Sequence, residues 1–435
     1  MNHLLHIFCN GEHIGVLEID TADNDAALVY DAHWQQTGFA LSPHLPLHGQ
    51  SDTGSIKKFL ANLLPEGEGL EFVSRFFRIS KANRFGLIEA VGAESAGALT
   101  FTNKEQIPTS FREISKEELA QRIKDRKTKN ITLWDDKPRL SVAGVQEKLP
   151  LVAVDGIYGI GEGEIASTHI LKFEKNAGEH LVLNEHFCMR LASLCGVKTA
   201  KTAIEVFGKE KVLVVERFDR VVVPKEDSFV VEKKHIIDGC QLLDLDVTMK
   251  YEKPYGGANE VIMGASFGKL FEALKFCKTK ALAKLEVLRW AFFNLLCNNY
   301  DAHAKNISFF VSKNGIEVAP FYDLLNIAMY PQMHAEFAFA YGDEFVPEHI
   351  KGFSMVAFCQ SIGIHPRLFK QELHAMIKTM HKQLATVLEE LCVKANEEEC
   401  LFLEKLSQNI EQNLVKFQPI AEDFTQLYEE YKEML

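Results

Sequence analysis

Residues 301–323 decide the architecture of the second half of this chain. The stretch Asp301-Ala302-His303-Ala304-Lys305-Asn306 is followed by an apolar run at 307–311, the triplet Lys313-Asn314-Gly315, a second apolar run at 316–321, and then Asp323. Two short apolar runs joined by a triplet that ends in Asn-Gly predict a β-hairpin. We expect this hairpin to return Asp323 to a position beside Asn306.

These residues are the ones that phosphoryl transfer to a hydroxyl group needs. One carboxylate orients the attacking hydroxyl, while an amide and a second carboxylate hold the Mg²⁺ that bridges the nucleotide phosphates. Protein kinases space the Asp and the Asn of the catalytic loop as D-x-x-x-x-N, which is the spacing of Asp301 and Asn306. The pattern predicts Asp301 as the base and Asn306 and Asp323 as Mg²⁺ ligands. Ordinary loop and strand-end residues are the alternative.

Two further polar residues lie inside the same predicted loop. Lys305 would touch the transferred phosphate and His303 would brace the loop. Loop residues satisfied by the backbone or by solvent fit the pattern equally well.

A lysine interrupts an apolar strand at Thr168-His169-Ile170-Leu171-Lys172-Phe173. Burying an unpaired ammonium group is costly, so Lys172 needs a partner or a function. The strand lysine of kinases, which contacts nucleotide phosphates, would supply the function. The alternative is an edge lysine that extends its ammonium group into solvent. Glu185 is the candidate charge partner.

Residues 213–220 form an apolar strand that ends in charged residues. In a two-lobed kinase, residues 216–218 would flank the adenine base, although an exposed strand end is almost as compatible with the pattern. For the phosphate loop, Gly159-Ile160-Gly161-Glu162-Gly163 is a weak candidate because its glutamates would repel phosphates. We interpret it as a turn between strands. Residues 141–148 are better placed but contain a single glycine, so local pattern does not select them.

The bulk composition is that of a water-soluble, multi-lobed protein. The chain has 435 residues, 47% of them hydrophobic and 25% charged, with a net charge of −12 and nine cysteines. That charge disfavours an extended nucleic-acid-binding face but suits a basic protein partner. The cysteines form no C-x-x-C pairs, and neither a signal peptide nor a membrane span is predicted. We therefore expect free thiols and a cytoplasmic location.

The hydrophobic pattern changes along the chain from strands to helices. A hairpin over 4–19, strands at 27–30 and 98–101 and a helix over 56–64 are predicted first, then a helix over 113–127 and a connector to 139. Strands follow at 149–154, 169–173, 203–206 and 212–217, with a helix from an Asn184 cap to Gly196. Helices are predicted at 267–276, 282–297, 366–391 and 396–417. The predicted regions are a β-rich subdomain at 1–135, a nucleotide-binding small lobe at 136–246 and a helical lobe at 247–435.

Together these motifs resemble the HipA family of bacterial toxin serine/threonine kinases. The resemblance implies an α+β, two-lobed, protein-kinase-like fold with an N-terminal β-rich subdomain and a helical C-terminal lobe. The matching segments follow the family order over the whole chain: residues 141–148 (SVAGVQEK), 168–172 (THILK), 184–191 (NEHFCMRL), 215–220 (VERFDR), 250–252 (KYE), 301–308 (DAHAKNIS) and 320–324 (PFYDL).

The resemblance also implies roles for individual residues. Asp301 would be the catalytic base, Asn306 and Asp323 the metal ligands, and Ser141 the serine whose autophosphorylation inactivates the kinase. The cofactors would be ATP and Mg²⁺. The residues implied in nucleotide binding are Ala143, Gly144, Val145, Gln146, Glu147, Lys148, Lys172, Glu216, Arg217, Phe218, His303, Ala304, Lys305, Asn306, Tyr322 and Asp323.

Members of the family arrest growth by phosphorylating translation proteins, aminoacyl-tRNA synthetases among them, and a helix-turn-helix antitoxin neutralises them. DNA contact would come mainly through that antitoxin, with no membrane involved. Two departures concern Ala302, where the family commonly has glycine, and Ile236-Ile237-Asp238, where many members have Gln-Glu-Asp. The alternatives are a catalytically weak co-repressor or binding module, and a lipid or small-molecule kinase, although no basic membrane-facing stretch supports the latter.

Overall fold

The protein has a mixed α+β fold divided into two compact units. The computed structural model describes residues 2–20, 25–93, 95–104, 108–139, 147–174, 176, 179–226, 228–254, 262–333 and 335–435. The first unit comprises Met1–Lys175, Ala203–Val247 and Phe309–Ile316, and the second comprises Asn176–Thr202, Thr248–Ser308 and Glu317–Leu435. Each unit is described by itself.

The first unit begins with a four-stranded antiparallel sheet in the order β3-β2-β1-β4. The predicted first hairpin is confirmed: Asn10 and Gly11 both have positive φ, at 50° and 81°, as its two-residue turn requires. The elements are β1 (Asn2–Cys9), β2 (Glu12–Asp20), β3 (Asp25–Tyr30), α1 (Ala32–Thr37), α2 (Thr53–Leu63), α3 (Gly67–Phe77), α4 (Arg84–Val91) and β4 (Leu99–Thr102).

A six-stranded sheet follows in the order β11-β12-β10-β8-β9-β5. Helix α6 and Thr202, the first residue of β11, belong to the second unit, and the rest of this stretch belongs to the first. The elements are β5 (Ser110–Ile114), α5 (Lys116–Lys124), β6 (Leu133–Trp134), β7 (Lys137–Pro138), β8 (Lys148–Val154), β9 (Ile157–Glu162), β10 (His169–Lys172), α6 (Leu181–Leu194), β11 (Thr202–Phe207), β12 (Glu210–Glu216), β13 (Arg220–Lys225), β14 (Ser228–Lys233), β15 (Ile236–Asp238) and α7 (Gly239–Leu242).

The boundary predicted at residue 135 falls inside the packing of this sheet. Strand β5 pairs with β9, and side chains from 114–134 share one core with β8, β10 and β12. Ser115 caps α5 by accepting from the Glu118 N–H, so the helix predicted from 113 begins later, and 113–114 complete the strand. The division into three regions stays a prediction.

The glycine-rich stretch at 159–163 was expected to be a turn, and that expectation is wrong for most of it. Gly159 and Gly161 lie within strand β9, which pairs with β5 and β8. A Cβ atom at Gly159 would come within 2.3 Å of the Phe111 ring, and one at Gly161 within 2.1 Å of the Ile165 carbonyl oxygen. These glycines therefore let neighbouring segments of the protein pack closely against strand β9.

The second unit is mainly helical. The helices predicted at 267–276, 282–297 and 366–391 are present, and the one predicted at 396–417 continues to Tyr431. Within the described part of the chain, none of the helices has the length and apolar composition needed to cross a membrane. The remaining elements are α8 (Phe267–Ala273), α9 (Lys280–Leu296), β16 (Ser308–Ser312), β17 (Gly315–Val318), α10 (Gly352–Ser361), α11 (Pro366–Cys392) and α12 (Glu397–Tyr431).

Asn184 does not cap helix α6, contrary to the prediction. The helix begins at Leu181, which places Asn184 inside it with its side chain fully buried. Its Nδ2 donates to the Asn326 carbonyl oxygen at 2.9 Å, and its Oδ1 accepts from the Asn326 N–H at 2.8 Å. A partner 142 positions away satisfies the amide, so the side chain need not serve as a cap.

Candidate active site

The predicted catalytic loop is closed by hydrogen bonds between its own residues. The Asp301 carbonyl oxygen accepts from the His303 N–H at 2.8 Å and from Asn306 Nδ2 at 2.8 Å, while the Asn306 N–H donates to the His303 carbonyl at 2.9 Å. Ala304–Asn306 form a 3₁₀ turn. The side chain of Asn306 thus fixes the backbone beside Asp301, which a D-x-x-x-x-N spacing permits.

The predicted hairpin is confirmed as β16 and β17, which are neighbours in their sheet. The chain after it returns to the loop, where the Tyr322 hydroxyl donates to the Lys305 carbonyl oxygen at 2.8 Å. That hydroxyl also lies 2.8 Å from the Ser308 hydroxyl. The hairpin therefore brings the residue that precedes Asp323 into contact with the catalytic loop.

Asp323 has a left-handed backbone conformation, with φ of 54°. For an aspartate this conformation is uncommon, and it costs on the order of 1 kcal/mol or more. Asn299 Nδ2 donates to the Asp323 carbonyl oxygen at 3.3 Å and to Asn294 Oδ1 at 2.9 Å. Both asparagines are buried, so a fixed polar support holds the Asp323 backbone in place.

The same support extends to the last helix of the chain. Asn409 Oδ1 accepts from Asn326 Nδ2 at 2.8 Å and from Asn298 Nδ2 at 3.0 Å. Asn413 Nδ2 donates to the Leu295 carbonyl at 2.8 Å and to Asn298 Oδ1 at 3.0 Å. Helix α12 therefore contacts the chain both before and after the β16–β17 hairpin, which we call the catalytic hairpin. No spacing within the sequence points to this network, because its members are far apart in the chain.

His303 is buried in the loop. Burial, together with the positive charges of Lys250 and Lys305, lowers the pKa of His303 well below its usual value. The ring packs edge to face against Tyr251, with 5.0 Å between centroids. The bracing role of His303 stays a prediction. Lys305 and Ala304 are also buried in the loop.

Asn306 and Asp323 have the chemistry of magnesium ligands. The Nδ2 of Asn306 is engaged with the Asp301 carbonyl, so its amide oxygen is directed away from that bond. An amide oxygen and a carboxylate are hard donors, and Mg²⁺ takes few protein ligands when phosphates complete its shell. The described residues contain no cluster of three or more His, Cys, Asp or Glu that could hold a metal alone. The residues present fit a metal bound together with a nucleotide.

The first unit contains the other predicted nucleotide-binding residues. Lys172 is buried in β10, in register with Lys148 of β8 and Leu213 of β12. Glu147 lies 3.7 Å from Arg126, which also contacts Glu210 at 3.2 Å. Glu185 is buried in α6, and its pairing with Lys172 stays a prediction. Ser141, Ala143, Gly144, Val145 and Gln146 lie outside the described residues.

The three residues predicted to flank adenine, which we call the hinge residues, have different environments. Glu216 ends β12 with its side chain exposed, and the Phe218 ring packs edge to face on Phe310 at 5.8 Å. Arg217 is buried and donates to both carboxylate oxygens of Asp219 at 3.0 and 2.9 Å, and to Ser167 Oγ at 2.9 Å. The side chain of Arg217 is thus engaged inside the protein, and adenine recognition there would fall to the backbone.

Asp219 forms the centre of this buried ion cluster. Burial alone would raise its pKa, but the guanidinium groups of Arg217 and Arg220 hold the pKa of Asp219 well below its usual range. Two arginines on one buried carboxylate compensate its desolvation, so the cluster is a structural support for the turn after β12.

Comparisons with known proteins agree with the predicted fold. The family model for the HipA-like C-terminal domain matches residues 140–388, and that for the HipA N-terminal domain matches residues 5–102. The chain belongs to the HipA family. It is 41% identical over 380 residues to the serine/threonine-protein kinase toxin HipA of Shewanella oneidensis, covering 86% of this chain and 87% of that protein.

One further relative and one solved structure match most of the chain. The Sinorhizobium fredii protein Y4mE is 29% identical over 399 residues, covering 89% of this chain and 92% of that protein. A solved structure of HipA with HipB and operator DNA from Shewanella oneidensis MR-1 has a TM-score of 0.89 and 37% identity. That similarity covers 97% of this chain and 99% of the solved one. The predicted family and kinase-like fold are therefore confirmed.

The two departures from the HipA pattern have simple structural settings. Ala302 is not among the residues with positive φ, so its backbone does not require glycine. Ile237 is fully buried in strand β15, where the family's polar residue is replaced by core packing. Sequence reasoning assigned no role to Tyr251, which contacts the catalytic loop, or to Asn299, which supports the Asp323 backbone. The KYE motif of the resemblance was the available signal for Tyr251.

Glu252 makes the stability of this region dependent on pH. Burial raises its pKa to about 7, partly offset by the Ala340 N–H, which donates to Oε2 at 2.8 Å. Since the folded pKa lies above the ordinary value of 4.5, the folded state loses stability as pH rises from about 4.5 to 7.

We expect Glu252→Gln, which keeps an oxygen acceptor but cannot ionise, to remove this loss. The free energy of unfolding, measured by urea titration at pH 5 and pH 8, should fall by about 2.5 kcal/mol more in the wild type than in the variant. Parallel pH dependences for the two proteins would show that Glu252 ionises at its ordinary pKa.

Proposed function

We propose that this protein is an ATP- and Mg²⁺-dependent serine/threonine protein kinase that acts as the toxin of a toxin–antitoxin pair. The observation that carries the proposal is the closed catalytic loop, in which Asn306 Nδ2 bonds to the Asp301 carbonyl and Tyr322 bonds to the Lys305 carbonyl. These contacts hold one candidate base and two candidate metal ligands on adjoining backbone segments. Membership of the HipA family supports the same reaction.

In the proposed mechanism, Asp301 orients the acceptor hydroxyl and takes its proton as the new bond to the γ-phosphorus forms and the bond to the ADP oxygen breaks. Asn306 and Asp323 would hold Mg²⁺, which when bound neutralises the charge of the phosphates. Lys172 would contact the phosphates through its buried ammonium group. The backbone of Glu216, Arg217 and Phe218 would bind adenine.

The finer parts of the proposal concern substrate, control and location. We propose a hydroxyl of a translation protein as the acceptor and Ser141 as the site of inactivating autophosphorylation. A DNA-binding antitoxin would neutralise the kinase, which accords with the Shewanella structure that holds HipA, HipB and operator DNA together. All nine cysteines are free thiols, which suits action in the cytoplasm.

The proposal is tested by incubating wild type and Ser141→Ala with Mg²⁺-ATP and following phosphate incorporation by peptide mass spectrometry. We expect phosphate on Ser141 of the wild type, whose transfer to a protein acceptor then declines. Ser141→Ala should stay active throughout, because it cannot be modified at that position. A wild type that transfers phosphate but never carries it on Ser141 would refute self-inactivation alone.

Absence of transfer to any protein, with turnover of a lipid or a metabolite, would instead favour the small-molecule kinase. If the protein bound nucleotide and antitoxin without any transfer, the binding-module alternative would hold. Each outcome is distinguished by assaying protein, lipid and nucleotide products from the same incubation.

A further inference from the structure

The Lys250-Tyr251-Glu252 segment contacts the catalytic loop at Asp301, the candidate base. The Tyr251 hydroxyl donates to Asp301 Oδ1 at 2.6 Å, within the range of a short charge-assisted hydrogen bond. We propose that Tyr251 is a positioning residue that sets the orientation of the Asp301 carboxylate for phosphoryl transfer. This inference rests on the proposed role of Asp301 as the base.

The segment is fixed to the surrounding backbone on both sides of Tyr251. The Lys250 carbonyl accepts from the Ala304 N–H at 3.1 Å, and the Glu252 N–H donates to the Ala338 carbonyl at 3.0 Å. The Glu252 carbonyl in turn accepts from the Gly264 N–H at 3.1 Å. These backbone hydrogen bonds hold the segment against the loop and place the Tyr251 hydroxyl beside Asp301.

The tyrosine ring is also held by the loop that its hydroxyl contacts. It packs edge to face on His303 with an interplanar angle of 87°, and Lys250 Nζ lies 5.4 Å from the ring centroid. Because His303 is buried, this contact holds the Tyr251 ring in place and sets the direction in which the phenol oxygen points. Ring and hydroxyl thus engage residues two positions apart in the catalytic loop.

Fixing the carboxylate has a direct effect on the reaction. The terminal torsion of an aspartate is broad, so without a partner the two oxygens rotate over a wide range. Asp301 is only partly buried, so a polar contact such as the one from Tyr251 helps to restrict its carboxylate. A hydrogen bond to one oxygen holds the other in a defined direction, and misplacement of a reacting group by about 1 Å can cost about 10²-fold in rate.

The test compares Tyr251→Phe with Tyr341→Phe, Asp301→Asn and the wild type. Tyr341 is a matched control, because its hydroxyl donates to the Ala291 carbonyl at 2.7 Å and has no contact with Asp301. We expect Tyr251→Phe to lower kcat by about 10- to 100-fold with the KM for ATP unchanged. Tyr341→Phe should lower the Tm and leave kcat unchanged.

An unchanged kcat in Tyr251→Phe would overturn the inference. So would a raised kcat, which would mean that the hydroxyl obstructs the acceptor, or an equal loss in Tyr341→Phe. Wild-type transfer together with an inactive Asp301→Asn establishes the base independently of Tyr251. Crystal structures give a readout that needs no turnover: the Asp301 carboxylate should adopt several orientations in Tyr251→Phe and one in Tyr341→Phe. A single, unchanged orientation in both variants would also overturn the inference.

Discussion

Asp301→Asn is expected to lower phosphoryl transfer from ATP by about 10³-fold or more. An amide has the shape of the carboxylate but cannot accept the proton of the attacking hydroxyl. The loop should keep its fold, because Asn306 bonds to the backbone carbonyl of residue 301 and not to the replaced side chain. Transfer is measured with radiolabelled ATP and a protein acceptor, and folding by the Tm and by nucleotide binding.

Asp423→Asn is the control for the loss of one carboxylate, since Asp423 is exposed on helix α12. It should match the wild type in rate and in Tm. If Asp301→Asn kept more than about a tenth of the wild-type rate, the base would have to be another residue. If it unfolded, the Asp301 side chain would be a structural support.

Asp323→Asn should also reduce transfer by about 10³-fold, since loss of a metal-binding carboxylate removes several kcal/mol of transition-state stabilisation. Asparagine tolerates the left-handed conformation as well as aspartate does, so this change removes charge without backbone strain. The Kd for Mg²⁺-ATP, measured by calorimetry over a range of Mg²⁺ concentrations, should rise, while the Kd for metal-free ATP stays the same.

Asp323→Ala separates the two contributions of this residue. It loses the metal ligand and also places alanine at a φ of 54°, so its free energy of unfolding should fall by about 1 kcal/mol relative to Asp323→Asn. Equal Mg²⁺ dependence of nucleotide binding in the wild type and both variants would remove Asp323 from the metal site.

The parts of the molecule that depend on neighbouring residues could be predicted from the sequence. The hairpin after Asn306 follows from two apolar runs and an Asn-Gly triplet, and the D-x-x-x-x-N loop follows from its own spacing. Features that depend on distant partners could not be predicted. Asparagine often caps helices, but the side chain of Asn184 instead forms a hydrogen bond to the distant Asn326. Glycine often marks a turn, but Gly161 lies in a strand, where a larger residue would clash with the Ile165 carbonyl oxygen.

The same distinction explains the site residues. Lys172 could be singled out because a charged group in an apolar strand violates the local pattern. Arg217 belongs to the hinge by position, yet its side chain is engaged by Asp219 and Ser167, which only the folded chain brings together. Tyr251 belongs to the KYE motif of the resemblance, but its contact with Asp301, 50 positions later, is made only in the folded chain.

The asparagines of helix α12 have a consequence for synthesis of the protein. Asn409 and Asn413 bind the chain beside both ends of the catalytic hairpin, yet they are synthesised more than 80 positions after Asp323 (409 − 323 = 86). The polar network beneath the active loop can close only after helix α12 has left the ribosome. A kinase built in this way completes its catalytic support after the loop itself, so a nascent chain that has not yet reached α12 lacks that support.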